Sequence, residues 1–515
     1  MSPNPMSTAH TLTAAGEPAP LLTPQAPADG GVIPNRGFST GGAGEALGFH
    51  FPAWTLGEWL GYSALVLVSL LLTAVAVSTL WWMLHAWRSK DNLKGTSFSE
   101  QPLAPSHTFT LLVPGRHEEE VMGQTLDRLA MQDHPGFEII AIVGHDDPGT
   151  ERVAREAAAR HPELIRVIVD DSVPKNKPKA LNLALKTATG EIVGVFDAED
   201  EVHPRLLSLV DSKFTETGAD VVQGGVQLMN FQTSWWSLRN VLEYYFWFRS
   251  RLHFHAKSKF IPLGGNTVFV TKEWLDWSEG WDAGCLAEDC ELGVRLSSAG
   301  ANVVVAYSPE VVTREETPGS FTSLLKQRTR WNQGFMQVLG KGEWKKLPTF
   351  RQRFYARYLL TMPFIQAVTG LLIPVSVLLI FTVKVPTGIA LITFIPVAPT
   401  LVLLAVEITG LAEFGRTYGT KVRALDYFRL IWGLIPYQIF LALGAVRAVY
   451  RQLRGQNGWE KTEHTGAHRD AEAPVETGTV TPIGAARTLQ PEKALQPEPA
   501  LQPEPALLLA SGDER

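Results

Sequence analysis

The run EIVGVFDAED at residues 191–200 decides how the middle of the chain folds. Apolar residues lead directly into a cluster of carboxylates, which predicts a buried strand that ends in an acidic turn. At the carboxyl end of a strand in an α/β sheet, side chains project into the crevice where ligands bind. Carboxylates without a basic neighbour repel one another there unless a cation lies among them. The run therefore indicates either a Mg²⁺ site beside substrate phosphates or a plain acidic surface turn.

Strands and helical stretches alternate on both sides of this run, over residues 109 to about 310. Such alternation predicts an α/β domain with a mostly parallel sheet and helices on both faces. The second and fourth predicted strands run into Asp146-Asp147 and Asp197, so these acids should meet at the carboxyl edge of the sheet. The predicted strands are 109–113, 137–143, 166–169 and 192–196.

Apolar blocks outside this domain predict a multi-pass membrane protein. The blocks at 60–87, 358–383 and 389–411 are each long enough to cross the hydrocarbon core of a bilayer. The first block lies too far from the start of the chain to be a signal peptide. Basic residues gather after this block, from Arg88 onward, whereas Arg36 is the one Lys or Arg before it. The positive-inside rule therefore predicts that the N-terminus lies outside and the α/β domain lies in the cytosol.

Two further segments leave alternatives open. The apolar block 430–446 has basic flanks and is interrupted by Pro436. It either crosses the membrane or lies re-entrant or at the interface, and its flanks favour the second alternative. Residues 321–350 carry apolar positions at helical spacing with basic residues between them. This pattern predicts an amphipathic helix in the membrane interface, with an ordinary packed surface helix as the alternative.

The composition of the chain excludes several classes of protein. Residues 1–55 are rich in Pro, Ala, Gly and Thr, and residues 465–515 carry a Leu-Gln-Pro-Glu repeat, so both segments are predicted to be disordered. The formal net charge of −6, without a dense basic cluster, argues against a nucleic-acid partner. Cys285 and Cys290 have no second Cys/His pair beside them, which argues against zinc and fits a reduced cytosolic setting.

Four polar motifs follow one another along the α/β domain and the helix after it. They are Asp146-Asp147, Asp197-Ala198-Glu199, Glu288-Asp289 and QRTRW at 327–331. This order resembles the membrane-integrated family 2 glycosyltransferases, which include the bacterial cellulose, chitin-oligosaccharide, hyaluronan and poly-N-acetylglucosamine synthases. The resemblance covers about residues 109–340. It implies an α/β, GT-A-like nucleotide-sugar-binding domain, at 105–320 here, flanked by transmembrane helices.

The resemblance implies a set of donor-binding residues. Asp146 and Asp147 are expected to hold the uracil and ribose end of a nucleotide sugar, so a UDP-sugar is the expected donor. Lys179 is expected to lie near the diphosphate of that donor. Asp197 and Glu199 are expected to hold Mg²⁺ or Mn²⁺ against the same diphosphate.

The resemblance also implies the residues on the acceptor side. Asp289, next to Glu288, is expected to be the general base that deprotonates the acceptor hydroxyl. Arg330 is expected near the leaving pyrophosphate, and Gln327 and Trp331 along the acceptor, with Trp331 stacking on a sugar. These roles are physically consistent, because a metal and an Arg offset the charge of the leaving group and a carboxylate activates a weakly nucleophilic hydroxyl.

Three positions depart from the family pattern, and one segment has no expected role. Glu199 replaces the second Asp of D-x-D, which leaves Asp200 as an alternative metal ligand. Ala287 replaces the Thr of T-E-D, and His117 replaces an amide near the first strand. None of these changes removes a group that the chemistry requires. The segment at 459–464, WEKTEH, resembles one in similar bacterial glycosyltransferases, and no role follows for it from first principles.

These observations predict an inverting, metal-dependent β-glycosyltransferase in a bacterial-type inner (plasma) membrane. The expected reaction extends a polysaccharide from a nucleotide sugar, and the Q-x-x-R-W motif favours processivity. A single-transfer enzyme that makes a glycolipid is the close alternative, since ceramide glucosyltransferases carry a similar motif set. A catalytically dead regulatory protein is disfavoured because five site residues are present together: Asp197, Asp289, Gln327, Arg330 and Trp331. The acceptor is thus expected to be a glycan or a lipid at the membrane, and the sequence does not name the sugar.

Overall fold

The computed structural model describes residues 54–89, 95–382 and 384–460 of the chain. Apart from residues 54 and 55, the segments predicted to be disordered lie outside these ranges. The strands are β1 Phe109–Gly115, β2 Phe137–Gly144, β3 Ile165–Asp170, β4 Ile192–Val195, β5 Val221–Gly224, β6 Val226–Leu228, β7 Val268–Thr271, β8 Val303–Ala306 and β9 Thr313–Glu315. Seven of them form one sheet in the order β3-β2-β1-β4-β7-β5-β8, and β6 pairs with β9 in a second, two-stranded sheet.

The main sheet is mostly parallel, as predicted. β1 pairs in parallel with β2 and β4, β2 with β3, and β5 with β8, whereas β7 runs antiparallel between β4 and β5. Its central strands are continuous apolar runs because both faces are covered: Leu111 belongs to one core cluster and Leu112 to the other. The four predicted strands correspond to β1–β4. The strands β5–β9 have only three or four residues each, too few to give a periodic signal.

Helices cover both faces of this sheet. One core cluster joins it to Met122–Ala130 and Leu206–Thr217, and the other joins it to Lys177–Leu185 and Glu288–Ala299. Capping residues fix where helices begin, because their side chains accept otherwise unpaired backbone N–H groups, as Asn176 does from the Lys179 N–H at 3.0 Å. The remaining helices of the domain are Pro148–Arg160, Trp235–Phe246, Leu252–Lys257 and Lys272–Trp277, with a π turn at Trp247–Arg251 and a 3-10 turn at Pro309–Val311.

Within the described part of the chain, three helical segments are long and apolar enough to cross a membrane. Candidate span 1 is Leu56–Met83, candidate span 2 is Phe350–Thr382, and candidate span 3 is Thr387–Thr417, which is interrupted between Phe394 and Val397. They have 28, 33 and 31 residues, and about 20 suffice for a bilayer core. Span 1 precedes the α/β domain and the other two follow it, as the apolar blocks predicted. A short helix, His85–Arg88, follows span 1.

The fourth apolar block forms a bent pair of helices. Ala424–Trp432 and Leu434–Leu453 meet at an angle of 49°. The bend lies one turn before Pro436, which cannot donate a backbone hydrogen bond and crowds the carbonyl four residues earlier. Both alternatives stated for this block, a broken span or a re-entrant segment, are compatible with the bend.

The predicted amphipathic helix extends over Phe321–Lys341, here called the motif helix, and a 3-10 turn follows at Glu343–Lys346. Ser320 caps it by accepting the Ser323 N–H at 3.1 Å. It packs against candidate span 2 and against Leu434–Leu453. The motif helix therefore joins the α/β domain to the apolar helices.

Candidate functional site

A large cavity begins at the carboxyl edge of the sheet. Its volume is about 2040 Å³. The residues that follow β1, β2 and β4 line one end of it, including Arg116, Asp146 and Asp197, and the other end lies among the candidate spans. The sheet and the apolar helices thus share one continuous cavity.

Three carboxylates form an acidic cluster in this cavity. One oxygen from each of Asp197, Glu199 and Glu315 lies within 4.8 Å of the other two. Burial raises the pKa of Glu315 well above its usual value, and the charge of Asp200 raises it further. A divalent cation among the three would relieve this repulsion, and oxygen ligands of this kind suit Mg²⁺ or Mn²⁺.

Glu315 is a site residue that the sequence motifs did not identify. It ends β9, which pairs with β6 about 90 residues earlier in the chain. Asp200, expected as an alternative ligand, instead supports the acidic turn: its carboxylate accepts the Asp197 N–H at 2.8 Å and the Asn266 side-chain amide at 3.1 Å. The same amide of Asn266 donates to Glu315. Glu315, rather than Asp200, completes the cluster.

A lysine lies beside the acidic cluster, but it is Lys177 and not Lys179. The Lys177 ammonium group donates to Asp197 and, at 2.8 Å, to the Gly265 carbonyl. Burial alone would lower the pKa of Lys177, yet Asp197 and the other nearby carboxylates hold it above its usual value. Lys179 does not line the cavity, and its ammonium group donates to the Pro174 carbonyl at 2.6 Å. Residues two apart lie on opposite sides of a helix, so Lys177, rather than the expected Lys179, faces the cavity and the acidic cluster.

The two acids expected to bind the nucleotide separate in space. Asp146 lines the cavity and pairs with Arg116 at 2.9 Å. Asp147 is 5% exposed and does not line the cavity. Its carboxylate caps Pro148–Arg160 by accepting the Thr150 N–H at 3.3 Å, and it also accepts the backbone N–H of His117. Asp147 therefore positions the loop, and Asp146 alone of the pair faces the cavity.

Glu288 and Asp289 begin a helix that points its first turn at the cavity. Both line the cavity, and acids at this position are stabilised by the positive end of the helix dipole. Burial raises the pKa of Glu288 to about 7, with the Asp289 charge as the second cause, and burial also raises the pKa of Asp289. A Cβ on Gly265 would lie 3.1 Å from a carboxylate oxygen of Asp289, so the absence of a side chain there keeps this carboxylate accessible.

The motif helix contributes Gln327, Arg330 and Trp331 to the cavity lining. Among the described residues, the Gln327 Oε1 and the Arg330 Nε are buried without a hydrogen-bond partner. The positive charge of Arg330 partly opposes the rise in the pKa values of Glu288 and Asp289, so this charge lies close to both carboxyl groups. Polar atoms left unpaired inside a cavity are free to bind a ligand.

Trp459 is a second cavity residue for which the sequence indicated no role. Its ring lies 4.4 Å from the Arg330 guanidinium carbon. The next residue, Glu460, makes two hydrogen bonds with Arg447, at 2.7 and 2.6 Å. The end of the described chain is thereby held against the motif helix, whereas the rest of the WEKTEH segment lies outside the described residues.

Comparison with known proteins identifies the domain. The family model described as "Glycosyltransferase like family 2" matches residues 105–334. The beta-monoglucosyldiacylglycerol synthase of Synechocystis sp. is 29% identical over 239 residues, which are 45% of this chain and 49% of that protein. The poly-beta-1,6-N-acetyl-D-glucosamine synthase of Staphylococcus epidermidis is 25% identical over 269 residues, 51% of this chain and 62% of that protein. The chain thus spans about half the length of the first of these relatives.

A solved structure supports the fold. The mannosyltransferase PcManGT from Pyrobaculum calidifontis, in complex with GDP-Man and Mn²⁺, is 21% identical and has a TM-score of 0.51. The match covers 75% of this chain and 99% of that one. The predicted GT-A-like α/β fold is confirmed, and the family model confirms the predicted resemblance to family 2 glycosyltransferases for residues 105–334.

Proposed function

Residues 105–334 form a family 2 glycosyltransferase domain, and from that premise we propose that this enzyme moves a sugar from a nucleotide sugar to an acceptor hydroxyl with inversion at the anomeric carbon. The observation that carries the proposal is the convergence of an acidic cluster, a lysine and a buried carboxylate pair on one cavity. We propose further that the domain faces the cytosol of a bacterial-type inner membrane, with the N-terminus outside.

The proposed binding of the donor depends on opposite charges in the site and on the donor diphosphate. Asp197, Glu199 and Glu315 would hold Mg²⁺ or Mn²⁺, and that ion would neutralise the diphosphate of the donor. Lys177 and Arg330 offset the negative charge that builds on the leaving diphosphate. Asp146, with Arg116, lies at the cavity end where the base and ribose would bind, and its carboxylate accepts their N–H and O–H groups.

The proposed roles on the acceptor side concern the transfer of a proton from the acceptor hydroxyl. Asp289 accepts the proton of the acceptor hydroxyl as that oxygen attacks the anomeric carbon. Partial burial raises the pKa of Asp289, which makes its carboxylate a better base near neutral pH. Attack from the face opposite the diphosphate inverts an α-linked donor, so the product is β-linked. Trp331 and Gln327 orient the acceptor.

Two classes of acceptor are candidates. The Q-x-x-R-W motif and the poly-N-acetylglucosamine synthase relatives favour a growing glycan and processive transfer. The glucosyldiacylglycerol synthase relatives favour a single transfer to a lipid. Both acceptors would approach Asp289 from the end of the cavity that lies among the candidate spans.

The test is release of nucleoside diphosphate by the full chain in membranes. UDP-glucose, UDP-N-acetylglucosamine and GDP-mannose are supplied with Mg²⁺, with Mn²⁺ or with a chelator, and Asp289→Asn is measured alongside. We expect metal-dependent consumption of one donor, with release by the variant lower by about a hundredfold or more, as is typical for loss of a general base. Equal release by the variant, or release unaffected by the chelator, would contradict the proposal.

A further inference from the structure

Arg251 is a charged residue of the cavity wall that lacks a carboxylate partner. It ends the π turn Trp247–Arg251 and lines the cavity. Within the described part of the chain, no Asp or Glu forms an ion pair with its guanidinium group, and its buried Nε has no hydrogen-bond partner. Glu243, whose charge acts on Arg251, already binds Arg328 and accepts the Tyr437 hydroxyl at 2.9 Å. The positive charge of Arg251 is therefore not compensated by direct contact.

The other cations of the cavity wall have acidic neighbours. Among the described residues that line the cavity, these cations are Arg116, Lys175, Lys177, Arg328 and Arg330. Burial lowers the pKa of Arg251 to about 10, so its guanidinium group is still charged at neutral pH. The removal of a charge from water costs free energy unless an opposite charge lies close to it. An anion bound at Arg251 would offset this cost.

Two indole rings fix the orientation of the Arg251 guanidinium group. Its carbon lies 3.9 Å from the ring centre of Trp82 and 4.9 Å from that of Trp247. All three side chains belong to residues that line the cavity. A guanidinium group that stacks on aromatic rings keeps the N–H donors along its edge available, and two of these can bind a phosphate or a carboxylate in parallel. The stack is thus suited to hold an anion in the cavity.

The π turn attaches Arg251 to the end of candidate span 1. The Ser250 hydroxyl donates to the Trp82 carbonyl at 2.7 Å and accepts the Ala86 N–H at 2.9 Å. Trp82 lies in the last turn of span 1, and its ring centre lies 5.8 Å from that of Tyr358 in span 2. Short π segments within helices are rare and frequently occur at functional sites. This one holds Arg251 where two candidate spans meet the α/β domain.

We propose that Arg251, with Trp82 and Trp247, forms a binding site for a phosphate group, separate from the residues proposed for the donor diphosphate. This inference rests on the proposed function in one respect, the placement of the α/β domain at the face of a membrane. In a bilayer crossed by spans 1 and 2, Arg251 lies near the level where the hydrocarbon core ends and lipid head groups begin, a level at which Trp is common. Lipid phosphates lie at this level, so a phosphate-bearing lipid is the expected ligand, and free phosphate is the other source of the same group.

The first experiment compares two lipids that differ only in a phosphate group. The purified full chain in a neutral detergent receives dioleoylphosphatidic acid or dioleoylglycerol, and native mass spectrometry measures the affinity for each lipid. We expect dioleoylphosphatidic acid to bind about ten- to hundredfold more tightly, the range for charge-assisted hydrogen bonds. Arg251→Gln should abolish this preference. A preference that persists in folded Arg251→Gln would overturn the proposal.

Arg88 provides a matched control at the same end of span 1. Its guanidinium carbon lies 3.6 Å from the ring centre of Trp81, but Arg88 is exposed and does not line the cavity. Arg88→Gln should keep the preference for dioleoylphosphatidic acid. An equal loss of the preference in Arg88→Gln and Arg251→Gln would indicate binding at the outer surface and would overturn the cavity site.

A second variant keeps the test decisive if Arg251→Gln does not fold, which thermal unfolding of each variant shows. Arg251→Lys keeps the positive charge but loses the planar set of donors that stacks between the indole rings. It should therefore reduce the preference for dioleoylphosphatidic acid by about threefold or more. An unchanged preference in Arg251→Lys would overturn the stacked guanidinium group as the binding element.

Two additions identify the source of the phosphate and separate this site from the donor site. Equilibrium dialysis with radiolabelled inorganic phosphate tests the free anion. Binding of inorganic phosphate that depends on Arg251, without a preference between the two lipids, would support the site and overturn the lipid as its ligand. UDP with Mn²⁺ should leave bound dioleoylphosphatidic acid in place, because the donor diphosphate is proposed to bind near Lys177 and Arg330, and displacement by UDP would overturn a separate site. These assays measure binding, so a chain that released no nucleoside diphosphate would refute the proposed transfer and leave the Arg251 site supported.

Discussion

The variant Lys177→Met, with Lys179→Met as its matched control, tests how much one ammonium group contributes to the donor side of the site. The Lys177 ammonium group contacts Asp197 and the Gly265 carbonyl inside the cavity, whereas Lys179 does not line the cavity and its ammonium group donates to the Pro174 carbonyl. A charge-assisted hydrogen bond contributes about 1.5–3 kcal/mol. At about 1.4 kcal/mol per tenfold change, Lys177→Met should lower kcat/KM for the donor by about ten- to hundredfold.

The assay is the initial rate of nucleoside diphosphate release at saturating metal, with thermal unfolding of each variant measured beside it. Lys179→Met should stay within about twofold of the wild type, as expected for a surface substitution away from the site. The reasoning would be refuted if Lys179→Met lost as much activity as Lys177→Met while both variants remained folded. It would also be refuted if Lys177→Met were fully active, because no other lysine contacts Asp197 among the described residues.

Three further predictions concern the metal, the segment at the end of the described chain and the pH profile. Glu315→Gln should weaken the binding of Mn²⁺, measured by calorimetry, by about tenfold or more. Glu310 is exposed, and Glu310→Gln should leave the affinity for Mn²⁺ unchanged. If the two variants bound Mn²⁺ with equal affinity, Glu315 would not be a metal ligand. Trp459→Ala should lower kcat by about three- to thirtyfold, because it removes the cation–π contact with Arg330. Trp459→Phe keeps an aromatic ring and should retain most of the wild-type kcat. A kcat for Trp459→Phe as low as that for Trp459→Ala would contradict this role. Transfer should decline as pH falls below about 7, because Glu288 and Asp289 share raised pKa values and the base must be ionised. Glu288→Gln removes the negative charge beside Asp289, so the acid limb of the pH–rate profile should move to lower pH. An acid limb at an unchanged pH would show that Glu288 and Asp289 do not control the profile.

The sequence could predict the parts of the fold and the site that depend on local patterns. Strands β1–β4 are rich in apolar residues, and the acids after β2 and β4 line one cavity because parallel strands end at the same sheet edge. The apolar blocks predicted the candidate spans in the same way, since length and composition suffice for that purpose. These rules place Asp146 and Asp197 at one cavity, whereas Asp289 and Arg330 were expected there from the family resemblance.

Other parts could not be predicted, because they depend on distant pairings or on the phase of a helix. Glu315 reaches the acidic cluster through the pairing of β9 with β6, which no local pattern records. Lys177 and Lys179 differ by two positions, and only the start of the helix at Asn176 decides which of them faces Asp197. Asp147 has the same chemistry as Asp146, yet it serves as a helix cap.

A structure of the full chain with Mn²⁺ and UDP tests the central claim most directly, with the anomalous signal of manganese locating the ion. The account predicts one ion bound by Asp197, Glu199 and Glu315, the diphosphate between that ion and Lys177, and the base end beside Asp146. An ion that lies away from Glu315, or a nucleotide bound outside the cavity at the carboxyl edge of the sheet, would contradict it.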